Sequence, residues 1–341
     1  MVNRRATIRD VAEAAGVSIG TISRALNEPE RVKTATLAKI TQAIKQLDYR
    51  VDTVAQSLRA GTTHAVALLV HDISNPIFIA AARAAQLVLN RANYLLVLAS
   101  TDPSQHSDDT LIHMLAQRRM DGLIAFVRRE DDEAANAALR SFEGPIVLFD
   151  RQIDVVADVV LTDHAEGMKR LTRHLLELGH RRIALITGAP QLFPGRERRR
   201  GFVDAFRAMG LEPPMRLVRD DSLEMQYGLR EASAFLHSDE PPTAIIAGGN
   251  QILEGVVEAV RSNGLSIPGD ISIAGFDDSP LARLASPPVT VVRRDVAQMG
   301  TIAAEILVQR LKVGRLEKTR RVVLPTELVL RESCGPPTSR R

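Results

Sequence analysis

Apolar positions along the chain follow two different rhythms, and the change falls near residue 64. Before it, Ile8, Val11, Ala12 and Ala15 recur at the spacing that puts side chains on one face of a helix. Thr7 precedes them, and Asp10 three residues on completes a capping-box pattern. Gly16 breaks this first helix, and Ser18 is placed to cap a second with Ile22, Ala25 and Leu26 on its inner face. A third helix is predicted over Thr34 to Leu47, where Leu37, Ile40, Ile44 and Leu47 keep the period. Three short helices with a glycine turn between the first two make a helix-turn-helix. Residues 50–63 form a linker, within which Val54–Ala60 could turn helical before Gly61.

From His64 onward short apolar runs alternate with amphipathic stretches. HAVALLV (64–70), YLLVLAS (94–100), DGLIAFV (121–127) and PIVLFD (145–150) read as buried strands, with helices such as Ile77–Arg91 and Ser104–Arg119 between them. The alternation resumes in RRIALITG (181–188), MRLVRD (215–220), PPTAIIAGG (241–249) and DISIAGFD (270–277). Strands alternating with helices imply parallel sheets in an α/β fold, and the run is long enough for two. Ligands are then expected at the C-terminal strand ends or between the lobes. The tail from Ser333, SCGPPTSRR, is expected to be disordered.

Charge sharpens this division. Residues 1–62 hold ten Lys/Arg against six Asp/Glu, a surplus of four, while the whole chain carries only +3. The basic excess sits in the helical head, as in a nucleic-acid module. The single cysteine, Cys334, can form neither an internal disulfide nor a multi-cysteine zinc site. The first residues lack the apolar stretch of a signal peptide, and no apolar run approaches the ~18 residues of a membrane span, so a cytoplasmic location with no membrane contact is expected. The sequence contains no H-E-x-x-H, P-loop or G-x-S-x-G pattern. Adjacent carboxylates such as Asp131–Asp132 and Asp277–Asp278 have no partner nucleophile, so we expect no catalytic residue, no metal and no cofactor, and not an enzyme.

The segment from Thr7 to Leu58 closely resembles the DNA-binding head and hinge of the lac-repressor (LacI/GalR) family. Further family signatures follow: SNPIF at 74–78, MDGLIAF at 120–126, FDR at 149–151, GHRRIALITG at 179–188, RRRGF at 198–202 and GFDD at 275–278. The resemblance implies an all-α helix-turn-helix head plus an α/β periplasmic-binding-protein-like sensor with two parallel-sheet lobes. The implied domains are the head at 1–49, a hinge at 50–63, the sensor at 64–331 and a tail at 332–341. Lobe 1 would hold about 64–162 and 293–324, and lobe 2 about 163–290 and 325–331, with chain crossings near Thr162–Asp163, Thr290–Arg293 and Leu324–Thr326.

By the same resemblance, the second helix enters the major groove and presents Ser18, Ile19, Gly20, Thr21, Ser23 and Arg24. Arg24 can donate two hydrogen bonds to guanine, and Ile19 can pack on a thymine methyl. Thr7, Ser18, Ser23 and Asn27 suit phosphates, which position without reading sequence. Leu58, with Arg59 beside it, matches the leucine that wedges into the minor groove. Where many members have Tyr-x-Pro-Asn before the hinge, this chain has Tyr49, Arg50, Val51 and Asp52.

The resemblance also assigns the effector site to Asn75, Phe78, Asp150, Arg151, Arg198, Asn250 and Asp277. Their donors and acceptors suit a polyhydroxyl ligand, and Phe78 could stack on a sugar ring. The resemblance thus implies a homodimeric repressor of a palindromic double-stranded DNA operator, controlled by a small molecule for which these residues suit a sugar. Two alternatives stay open: a purine or phosphorylated metabolite as corepressor, for which Arg196, Arg199 and Arg200 beside Arg198 speak, and a sugar-binding transport-type protein.

Overall fold

The computed structural model describes residues 6–49, 61–101, 107–314 and 318–338, and the side chain of Asn27 is not among the described ones. The hinge segment 50–60, with Leu58, Arg59 and the departures at Arg50, Val51 and Asp52, lies outside the described residues. The chain divides into two units, Met1–Thr63 and His64–Arg341.

The first unit contains α1 (Ile8–Ala15), α2 (Ile19–Asn27) and α3 (Thr34–Gln46). Thr7 and Asp10 form the capping box, the Thr7 N–H donating to Asp10 Oδ2 at 2.7 Å. Gly16, at φ +63°, closes α1 in the left-handed region where a Cβ would be strained. Ser18 Oγ accepts from Thr21 N at 3.2 Å and starts α2. The three helices bury Val11, Ala12, Ala15, Ile22, Ala25, Ile40 and Ala43 together.

The second unit has two six-stranded sheets. In chain order its elements are β1 (Ala65–Val70), α4 (Pro76–Arg91), β2 (Leu95–Ser100), α5 (Asp108–Gln117), β3 (Gly122–Ala125), α6 (Glu133–Ser141), β4 (Ile146–Phe149) and β5 (Asp158–Thr162). Then follow α7 (His164–Glu177), β6 (Ile183–Gly188), α8 (Phe193–Ala208), β7 (Val218–Asp221), α9 (Met225–Leu236), β8 (Ala244–Ala247), α10 (Asn250–Ser262) and β9 (Ser272–Phe276). Last come α11 (Pro280–Leu284), β10 (Thr290–Arg294), α12 (Val296–Val313), β11 (Arg321–Leu324) and β12 (Thr326–Val329). The first sheet runs β11-β5-β4-β3-β1-β2 and the second β12-β10-β9-β8-β6-β7. Every pairing is parallel except β10 with β12. Parallel strands are buried on both faces by crossover helices, which is why their runs are continuously apolar.

The chain passes between the sheets after β5, after β10 and at Pro325 between β11 and β12. The second passage lies beyond the expected Thr290–Arg293. Arg294 still pairs with Thr326 in the second sheet, so the crossing falls at Asp295, which caps α12 by accepting from Gln298 N. Two further expectations are corrected. The run at β2 is not buried: Leu95 and Leu98 are 64% and 42% exposed, because β2 is an edge strand with one neighbour. The segment from Ser333 is ordered through Thr338. Ser333 is fully buried, accepts from Thr290 N at 2.9 Å and donates to Ile273 O at 2.6 Å, extending the second lobe past residue 331.

Candidate functional site

In the head, burial separates the two faces of α2. Ile22 and Ala25 point into the helical core, while Ser18, Ile19, Gly20 and Arg24 are exposed and Thr21 and Ser23 half-buried. Ser18 Oγ and Thr21 Oγ1 stand 2.9 Å apart and bond each other, and Thr7 Oγ1 donates to Asp10 at 2.8 Å. These hydroxyls therefore already shape the helix starts. Arg24 and Ile19 remain as the large side chains on the open face. Gly20 adds none, so a backbone can approach it closely.

In the second unit a cleft of about 710 Å³ opens between the two sheets. Its walls come from the C-terminal strand ends of both lobes. His71 and Asp72 follow β1, Thr101 follows β2, Arg128 and Arg129 follow β3, and Arg151 follows β4. From the other lobe come Gln191 and Leu192 after β6, Ser222 and Glu224 after β7, and Gln251 after β8. This is where open α/β sheets leave unpaired backbone groups and helix N-termini for a ligand.

Of the seven residues expected to hold an effector, Arg151 lines this cleft, and the other six are buried around it. Asp150 and Asp277 end corresponding strands, β4 and β9, and both take positive φ, +51° and +76°. Outside glycine such a backbone is strained, and Asp is among the residues that tolerate it. The turn points both carboxylates at one guanidinium, that of Arg294 from β10. Its Nε donates to Asp277 Oδ1 at 2.5 Å and its Nη1 to Asp150. His164 Nε2 lies 3.1 Å from Asp150 Oδ2, off line for a hydrogen bond. Burial would raise the Asp150 pKa, yet His164 and Arg294, with the Thr162 N–H, hold it well below the usual carboxylate range. Burial also lowers the His164 pKa to about 4, so that ring is neutral near pH 7.

Arg198 is buried against the Phe276 ring, 4.2 Å from its centroid, and its Nη1 donates to Gly248 O. Its Nε has no partner among the described residues. Desolvation lowers its pKa to about 10, which leaves it charged at neutral pH. Phe78 packs edge-on against Phe126 at 4.8 Å and His71 at 4.6 Å, inside the core of lobe 1. Asn75 caps α4 through Ile77 N and accepts from Asn250 Nδ2 at 3.1 Å.

That last bond crosses between lobes, and others do the same. Asn75 Nδ2 donates to Gln251 Oε1 at 3.3 Å, and Gln251 Nε2 donates to Asp72 Oδ2 at 2.8 Å. Glu130 Oε1 accepts from Phe193 N at 2.8 Å across the lobes and from Gln152 N at 3.1 Å within lobe 1, and its Oε2 lies 3.5 Å from Arg196 of lobe 2. Sequence reasoning missed Glu130, His164, Gln251 and Arg294. For Arg294 a signal existed: strand alternation puts Thr290, Val292 and Arg294 on one face, so the second arginine of the pair faces inward.

Residues 7–52 match the family model described as bacterial regulatory proteins, lacI family, and residues 172–334 match the periplasmic binding protein-like domain. The chain is 30% identical over 335 residues to the HTH-type transcriptional regulator DegA of Bacillus subtilis (strain 168), covering 97% of this chain and 99% of that one. The chain belongs to the LacI family. Among solved structures, this LacI-family chain is similar to the lac repressor dimer bound to operator and the anti-inducer ONPF, with a TM-score of 0.84, 25% identity, and 97% of this chain and 99% of that one covered. It is also similar to the complex of the transcriptional regulator CelR with cellobiose, with a TM-score of 0.72, 29% identity, and 97% and 100% covered. This member of the family is a DNA-binding transcriptional regulator with a head and a two-lobed sensor.

Proposed function

We propose that this LacI-family protein is a repressor acting in the bacterial cytoplasm, whose affinity for a near-palindromic operator is set by a small polyhydroxyl effector in the interlobe cleft. The observation that carries this reading is the cleft itself: a volume of about 710 Å³ lined from the strand ends of both lobes. Closing such a cleft on a ligand changes lobe orientation, so a ligand that favours one orientation shifts the population of DNA-competent molecules. Relatives bound to cellobiose, and to operator together with ONPF, support the assignment. The seven buried or cleft-lining polar and aromatic residues named above form the effector environment, and no step in this scheme uses catalysis.

At the DNA, α2 would lie in the major groove, with Arg24 and Ile19 reading base edges and Thr7, Ser18, Gly20, Thr21, Ser23 and Asn27 near the backbone. Leu58 and Arg59 would reach the minor groove at the operator centre. Two heads require a homodimer. Its surface is proposed at the edge strand β2 and the adjoining α4, where Ile79, Leu87, Leu95 and Leu98 are exposed. An exposed apolar edge strand asks to be covered.

The test selects a DNA site from a random pool, then measures affinity for it with and without candidate effectors. Candidates come from a thermal-shift screen of pentoses, hexoses, polyols, sugar acids, sugar phosphates and purines. A ligand specific to the folded state adds ~2.7 kcal/mol at a hundred times its dissociation constant. One sugar-class ligand that stabilises the protein and shifts operator affinity is the expected result. No selected site, or a bound ligand without effect on it, overturns the reading.

A further inference from the structure

The two sheets share one strand order, so positions in one match positions in the other. The three chain crossings join the strands at one end of each sheet, β11 and β5 in the first and β12 and β10 in the second. Asp150 and Asp277 end the next strands in, β4 and β9, which stand third in their sheets. Asp150 belongs to lobe 1, while Asp277 and Arg294 belong to lobe 2. The buried Asp150 carboxylate reaches the last residues of two crossing strands at once. Its Oδ1 accepts from Thr162 N, the end of β5, at 2.9 Å, and its Oδ2 accepts from Arg294 Nη1, the end of β10. Arg294 Nε donates to Asp277 Oδ1 at 2.5 Å, which orients the guanidinium. At the third crossing, Asp163 N donates to Leu324 O at 2.9 Å.

The other interlobe bonds differ in place and in kind. Asp72 and Asn75 meet Gln251 and Asn250 in the loops after β1 and β8, and Glu130 meets Phe193 and Arg196 in the loops after β3 and β6. Those strands stand fourth or fifth in their sheets, one or two strands farther from the crossings than β4 and β9. Gln251 and Arg196 are half-buried, so water can take over their bonds at small cost. The Arg294–Asp150 pair is buried on both sides, and separating it would strand two charges away from water. Arg198 lies nearby, but its Nη1 donates to Gly248 O, so Arg294 is the cation that bonds both carboxylates.

From this arrangement we infer that the Arg294–Asp150 pair is a pin at the hinge. The lobes swing about it with the pair intact, and it confines them to a narrow range of angles when no effector is bound. Opening breaks the bonds farther from the crossings, and those are the bonds whose balance an effector can change. The pin adds a hinge element to the effector-cleft reading above and does not depend on which ligand the cleft takes.

The experiment measures the distance between two spin labels in the unliganded full chain by pulsed electron paramagnetic resonance. The labels go on Ala137→Cys, exposed on α6 of lobe 1, and Ala234→Cys, exposed on α9 of lobe 2, in a Cys334→Ser background. Dilution with unlabelled chain keeps distances between protomers out of the signal. Arg294→Lys keeps the charge but loses the planar fork that reaches two carboxylates, and Asp150→Asn removes the charge of the lobe-1 partner. Each broadens the interlobe distance distribution about twofold or more. Arg310→Lys makes the same exchange in the buried pair with Asp158, which lies wholly within lobe 1, and leaves the width unchanged. Should one pin variant fail to fold, the other decides. Should both fail, hydrogen exchange on the unaltered chain decides: the pin requires the Thr162 amide, bonded to Asp150, to exchange more slowly than the Phe193 amide, bonded to Glu130. An unchanged width in the pin variants overturns the inference, as does equal broadening by Arg310→Lys or faster exchange at Thr162. No sugar or DNA enters the measurement, so its failure is distinct from failure of the effector reading.

Discussion

Arg294 holds carboxylates from two lobes on one guanidinium, and all three groups are buried. Removing it would take from Asp150 and Asp277 the one cation that bonds both, so Arg294→Gln is expected to cost about 3–5 kcal/mol in denaturant unfolding. A loss under ~1 kcal/mol would mean that water reaches the site. His164 makes a pH prediction with a definite sign. Its folded pKa, about 4, lies below the ordinary ~6.5, so between those values the unfolded chain binds more protons. The stability it contributes is complete above about pH 6.5 and is lost as pH falls toward 4, roughly 3 kcal/mol at full extent. His71 acts in the same direction. Unfolding midpoints measured from pH 7 to 4 should fall, and His164→Asn should flatten part of that fall. An unchanged slope would assign it elsewhere. In the head, Arg24→Ala should cost ~1–3 kcal/mol at one operator position and little at others. Many of these residues were legible as types. Asp150 and Asp277 stood at strand ends in the sequence, but their shared partner came from a strand more than a hundred residues from Asp150, and pairing at that distance leaves no periodic trace.

The helices covering the two sheets meet in pairs, and some pairs touch at backbone distance. A Cβ on Gly201 of α8 would lie 2.1 Å from Ala165 O of α7, and one on Gly300 of α12 would lie 2.4 Å from Ala81 O of α4. Backbone cannot yield as a flexible side chain would, so Gly201→Ala and Gly300→Ala should each destabilise by about 1–3 kcal/mol or more. Gly210→Ala makes an informative contrast: nothing stands within 4 Å, but φ is +69°, so any loss there is conformational. At the edge of the first sheet, Leu98→Lys should turn the proposed dimer into monomers with little change in monomer stability, read by analytical ultracentrifugation. Element types were readable because helix and strand periods differ. Exposure was not, since an apolar edge strand awaiting a partner and a buried strand share one pattern, as YLLVLAS shows. The tail was misread for a related reason. Gly, Pro and Ser suggest disorder, yet Ser333 finds two backbone partners in the strands beneath it.

At the scale of the molecule, the interlobe bonds form two clasps around the cleft. One is Asp72 and Asn75 with Asn250 and Gln251, and the other is Glu130 with Phe193 and Arg196. Glu130→Ala should weaken effector binding several-fold without abolishing it, because closure loses one clasp and keeps the other. Ligand and operator affinities must also change by the same factor in both directions. Saturating effector that left operator affinity unchanged would contradict the switch. The three chain crossings have a consequence for how the protein is made. Strand β5 gains its outer neighbour β11 only after residue 324 has been synthesised, and α12, which covers lobe 1 beside α4, arrives only after residue 296. While the ribosome extends lobe 2, lobe 1 waits with an open edge and an uncovered apolar face. Such nascent chains are prone to aggregate, so a fragment ending at residue 162 should require chaperone help that the full chain soon ceases to need.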